Sequence, residues 1–84
     1  MKEEVIFELD NTLKALAERF GNDHPELYEA VRIYEELKVS PSRELLKELR
    51  RITHNYLAPS DVDKDFIGVY RNLSILDCEY SVEL

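Results

Sequence analysis

Apolar residues recur at intervals of three and four along most of the 84-residue chain, the spacing that gathers side chains onto one face of a helix. In the first segment Ile6, Leu9, Leu13, Leu16 and Phe20 form such a stripe, with Ala15 and Ala17 adding helix propensity without bulk. Gly21 and Asn22 supply a stop, because glycine adopts the left-handed closing conformation easily. Pro25 then suits the first turn of a second helix, with Asp23 or His24 as its cap. Leu27, Ala30, Val31, Tyr34 and Leu37 make the second stripe. Ser40-Pro41 begins a third helix, carrying Leu45, Leu49, Ile52 and Tyr56 with Leu46 and Leu57 beside them. Ala58-Pro59 ends it, since a residue before proline is pushed out of the α region. Ser60-Asp61-Val62-Asp63 starts a fourth, whose stripe is Val62, Phe66, Val69, Leu73 and Leu76. Gly68 inside that stripe costs about 1 kcal/mol relative to alanine, which suggests close helix packing there.

The pattern predicts helices over about 2–20, 25–38, 41–57 and 61–76. In residues 77–84 it changes: Cys78, Tyr80, Val82 and Leu84 alternate with polar neighbours, a period of two that predicts an extended tail laid along the helices. Four amphipathic helices with short links predict an all-α, antiparallel four-helix bundle, one domain over 1–84, ending in that short tail. The core is small for its chain, so a monomer or a weak dimer is expected.

Composition narrows the function. No apolar run is long enough to cross a bilayer, and the N-terminus has neither a basic start nor an apolar core of a signal peptide. A single cysteine, Cys78, makes neither an internal disulfide nor a cysteine-ligated zinc site. These features predict a soluble cytoplasmic protein. The net charge of −7 argues against nucleic acid as a partner. The charge is uneven, however: residues 40–58 are net positive, while the segments on either side are net negative.

Catalytic chemistry finds little material. Two histidines lack the Glu-x-x-His spacing of a di-metal bundle, Gly21 and Gly68 are isolated, and paired acids such as Glu3-Glu4 and Glu35-Glu36 read as solvated faces. The chain is expected to be no enzyme and to carry no cofactor or metal.

A binding surface has better support. Lys47, Arg50, Arg51 and His54 are linked by helical spacings into one patch, with Arg43 one turn before it. They either pair with acids on helices 1 and 2 or meet an anionic partner or membrane surface. Of the five tyrosines, Tyr28, Tyr34, Tyr56 and Tyr70 lie on or beside apolar stripes and are expected at the core or its edge. Tyr80 lies in the tail with Cys78, where the helix pattern gives it no task. Cys78 reads as a small packed hydrophobe, having no cationic sequence neighbour to activate it.

The run Ser42-Arg43-Glu44-Leu45-Leu46-Lys47-Glu48-Leu49-Arg50-Arg51-Ile52, then Tyr56-Leu57-Ala58, then Phe66-Ile67-Gly68-Val69-Tyr70-Arg71-Asn72-Leu73, resembles the immunity proteins of pediocin-like bacteriocins, the enterocin A immunity family. That resemblance covers about half the chain closely and implies a left-turning antiparallel four-helix bundle in the cytoplasm, reaching the inner face of the membrane transiently. It implies action by binding: the protein locks a bacteriocin onto its receptor, the membrane subunits of a mannose-type sugar transporter, so that the pore cannot kill the cell. Discrimination in the family lies in the C-terminal half. The candidate partner-binding residues are therefore Lys47, Arg50, Arg51, His54, Tyr70, Arg71, Cys78, Tyr80 and Val82. The alternative function is an acidic adaptor or antitoxin-like bundle, neutralising a basic partner through Glu3, Glu4, Glu26, Glu29, Glu35 and Glu36.

Overall fold

The computed structural model describes residues 2–84, which fold into four helices with no strand: α1 Lys2–Phe20, α2 Glu26–Val39, α3 Arg43–Ile52 and α4 Lys64–Glu83. The molecule measures 33 × 23 × 19 Å. Helix α1 lies between α2 and α4, and α3 packs on α2. Lys2 at the start of α1 pairs with Glu83 at the end of α4, and Arg19 at the end of α1 pairs with Asp63 just before α4.

The predicted stripes form most of the core. Leu9, Leu13, Leu16, Leu27, Leu37, Leu49, Phe66, Leu73 and Leu76 are buried, joined by Val5, Ala17 and Ile33, which lie beside the predicted stripes. Ile6, Phe20 and Val31 border the core. Tyr34 is buried and donates its hydroxyl to Asp10 (2.6 Å), with the Ile6 carbonyl at 3.0 Å. Lys38 reaches the same Asp10 oxygen at 2.8 Å and so clamps α2 to α1. The hydrogen bonds from Lys38 and Tyr34 hold the Asp10 carboxyl below its ordinary range. At the other end the Phe66 ring contacts Phe20, His24 and Tyr70, with centroids 5.4, 5.3 and 4.8 Å away.

Helix starts differ from expectation in detail. Ser42, not Ser40, caps α3 by accepting from the Leu45 N–H (3.2 Å), and Asp63 caps α4 by accepting from Asp65 and Phe66 N–H groups. Neither Asp23 nor His24 caps α2; Pro25 holds the cap position without a side-chain bond.

Helix α3 stops at Ile52, five residues before the predicted end. His54, Asn55 and Tyr56 have φ of 52°, 59° and 66°, a left-handed turn with no glycine in it. Three such residues are costly, at about 1–2 kcal/mol each, and local bonds hold them. The Asn55 N–H reaches back to the Arg50 carbonyl (2.8 Å). Thr53 Oγ1 donates to the Leu49 carbonyl (2.8 Å) and accepts from the Tyr56 N–H (3.0 Å). Leu57, expected beside the third stripe, is thereby turned out to solvent.

The expected extended tail is instead the last two turns of α4. Tyr80 is only 4% exposed and continues the buried line Phe66, Tyr70, Leu73, Asp77 at helical spacing. The alternation of Cys78, Tyr80, Val82 and Leu84 is equally compatible with a helix, since 78/82 and 80/84 are both i, i+4 pairs. Arg43 donates to the Leu84 carbonyl at 2.7 Å and fixes this end against α3.

The two glycines work differently from the sequence reading. Gly21 does not take a left-handed conformation. It is buried where a Cβ would run into the Ala17 carbonyl and the Tyr28 ring, whereas a Cβ at Gly68 meets nothing within 4 Å. The close packing expected at Gly68 is absent; it borders an open groove of about 400 Å³ between α1 and α4. Opposite effects are predicted: Gly21→Ala lowers stability by about 1–3 kcal/mol, and Gly68→Ala raises it by about 0.5–1 kcal/mol. Urea melts of the two variants check both signs.

Candidate partner-binding surface

The α3 sequence Arg-Glu-Leu-Leu-Lys-Glu-Leu-Arg-Arg-Ile puts Leu46 and Leu49 into the core and leaves Arg43, Lys47, Arg50 and Arg51 on adjoining positions of the opposite side. Arg43, Lys47 and Arg50 line a small cleft of about 120 Å³ with Ser81 of α4 and Leu84 just past its end. Their charges face the C-terminal end of α4, where helix carbonyls favour cations.

Within this group Arg50 is structural. Its Nε and Nη2 form a two-pronged bond to Asp77, at 2.7 and 2.6 Å, and Nη2 also donates to Ser81 Oγ (3.1 Å). Asp77 additionally accepts from the Tyr56 hydroxyl (2.6 Å) and from Ser81 (3.0 Å). Burial by itself would raise the Asp77 pKa, but the bonds from Arg50, Tyr56 and Ser81 outweigh it and hold the carboxyl below its usual range. The same contact with Asp77, added to burial, pushes the Tyr56 hydroxyl well above its ordinary value. This network fastens α3, the left-handed turn and α4 together.

The other side chains of the predicted patch stay outside. Arg51 pairs with Glu48 one turn back on its own helix, an exposed pair that contributes little. Lys47 is exposed on α3; His54 is exposed too, but in the left-handed turn past the helix end, so the helical spacing expected to join it to the patch does not hold. The sequence alternative in which the patch pairs with acids on helices 1 and 2 fails for Arg50 and Arg51, whose bonded acids lie on α4 and on α3 itself.

The five candidates on helix 4 separate by helix face. Tyr70 and Tyr80 point into the core and are unavailable to a partner; burial and the nearby Glu26 carboxylate push the Tyr70 hydroxyl up to about 12. Arg71, Cys78 and Val82 point away from the core, and Cys78 is an exposed thiol where a packed one was expected. Ile67, 47% exposed, shares that outward face. Sequence reasoning missed Ile67 and Asp77 because α4 carries apolar residues on both faces, which obscures where the core stripe ends. Tyr28, expected at the core edge, is exposed and lies over Gly21.

The acids proposed for an adaptor surface are mostly engaged. Glu29 and Glu36 both hold Arg32, Glu35 holds Lys38, and Glu26 lies 3.5 Å from the His24 ring. The other His24 nitrogen, Nε2, is buried without a hydrogen-bond partner, 3.5 Å from Asp61. Among the described residues no group of three or more His, Cys, Asp or Glu side chains is placed to hold a metal ion, and no helix is long and apolar enough to cross a membrane. Comparison of the chain with protein-family models, with curated proteins and with solved structures finds no match.

Proposed function

We propose that the chain is a cytoplasmic immunity protein of the pediocin-like bacteriocin class, an antiparallel four-helix bundle that acts by binding and not by catalysis. Its target is the bacteriocin held on the membrane subunits of a mannose-type sugar transporter. The resemblance of residues 42–73 to that class supports this reading, as do the opposed ends of α1 and α4 joined by the Lys2–Glu83 and Arg19–Asp63 pairs. The observation that carries it is the outward cationic ridge of α3, Lys47 and Arg51, with His54 exposed in the turn that follows, on a chain of net charge −7. Such a ridge suits contact with anionic headgroups at the inner face of a membrane, where each Lys or Arg contributes about 1 kcal/mol.

Expression of the chain in a pediocin-sensitive strain is expected to protect it against one or a few bacteriocins of a panel. The double variant Lys47→Glu/Arg51→Glu is expected to lose that protection while melting within about 1 kcal/mol of the parent, because neither side chain holds the core. Absence of protection across the panel by a folded, abundant protein contradicts the proposal, and so does full protection by the double variant. Salt-sensitive capture of a basic protein in place of protection would support the adaptor.

A further inference from the structure

The outward face of α4 carries a second line of residues, opposite the one in the core: Ile67, Arg71, Ser74, Ile75, Cys78 and Val82, at the spacing of a helix–helix seam. Ile67, Cys78 and Val82 are exposed, Val82 at 88%. Arg71 is exposed as well, while Ser74 and Ile75 at the middle of the line are half-buried, Ile75 leaning on the edge of the core. Arg71 and Glu79 make no ion pair among the described residues.

We infer that this face binds a second copy of the same chain, α4 against α4 in opposite directions. The line is symmetric about a point between Ser74 and Ile75, so a two-fold axis there sets Ile67 opposite the partner's Val82, Ser74 opposite the partner's Ile75, and Arg71 opposite the partner's Cys78. Charge selects the direction. The first half of the outward face carries Lys64 and Arg71, and the flank of the second half carries Glu79. Opposed helices bring Arg71 beside the partner's Glu79 twice over, whereas parallel helices would set Arg71 against Arg71. An isologous contact of this kind needs one surface that is its own complement, and this one is. A seam limited to one helix, about 30 Å long, makes a weak dimer. The inference does not rest on the immunity reading.

Sedimentation equilibrium of the full chain tests it. The apparent mass is expected to rise from 9.9 kDa towards twice that value as concentration increases. Arg71→Glu is expected to hold the chain monomeric, and Arg71→Glu/Glu79→Arg to restore the dimer. The axis also makes a register test: in a Cys78→Ser background, Ser74→Cys forms a disulfide-linked dimer on mild oxidation. Cys78 of the parent does not, because the two copies of it lie roughly 10 Å apart along the seam. A single 9.9 kDa species at every concentration overturns the inference. A dimer that Arg71→Glu leaves intact overturns it as well. So does a face that stays monomeric and is needed only for bacteriocin protection, which would assign it to a different protein.

Discussion

Replacing Phe66 by alanine is expected to lower the free energy of unfolding by about 3–5 kcal/mol. Phe66 is fully buried in the first turn of α4, and its ring is the common neighbour of Phe20 at the end of α1, His24 in the α1–α2 link and Tyr70 on α4. Truncation removes a buried ring and leaves a cavity among groups that have no alternative packing. His24, Phe20 and Tyr70 belong to three segments, so collapse around the gap would have to move two helices and a link together. A domain of this size is stable by roughly 5–15 kcal/mol in all. The variant should therefore melt at least about 12 °C lower. Urea titration with an unchanged slope is the check, and a loss below about 1 kcal/mol would show that this ring cluster is not the anchor of the bundle's end.

The second large effect belongs to Asp77. Asp77 is 6% exposed and its carboxylate accepts from Arg50, Tyr56 and Ser81, so Asp77→Ala leaves a guanidinium and a phenol without their partner. Breaking a buried pair costs about 3–5 kcal/mol. The Arg50 side chain is 40% exposed and can be rehydrated, which places this case nearer about 2–3 kcal/mol. The variant should also release the left-handed turn, since Tyr56 is held there by its bond to Asp77. A pH signature follows from the depressed carboxyl. Its pKa is lower folded than unfolded, so its contribution is present above the ordinary carboxylate range and is lost as pH falls through the folded value. Urea midpoints of the parent should fall below about pH 4, and the fall should be smaller in Asp77→Ala. Asp10, held down by Lys38 and Tyr34, leaves a remainder in both. Identical acid slopes for parent and variant would show that Asp77 is not a linked group.

The sequence made the four helices legible because each carries a clear core stripe and each link contains proline or a capping side chain. The end of α3 was hidden. A left-handed turn is usually announced by glycine, and His54-Asn55-Tyr56 has none; bonds from Thr53 and to Asp77 replace the permissive residue, and the latter is a long-range contact. The end of α4 was misread for a different reason. Residues 78–84 satisfy a period of two and a period of 3.6 equally well, and only the burial of Tyr80 decides between them. In consequence, deletion of residues 78–84 is a core truncation as well as the loss of a surface. The cationic patch was legible as spacing, but its division into a structural Arg50 and outward Lys47, Arg51 and His54 depends on Asp77, which periodicity placed at the start of a tail. The same ambiguity put Tyr70 and Tyr80 among the binding candidates, when the outward residues are Ile67, Arg71, Cys78 and Val82.

Toxin-dependent capture tests the proposed mechanism most directly. Membranes bearing the mannose-type transporter subunits would be incubated with the purified chain, with and without a bacteriocin against which it protects. The proposal predicts that the chain is retained only when the bacteriocin is present, and that Lys47→Glu/Arg51→Glu is not retained. Equal retention with and without the toxin, or none in either case, would contradict it.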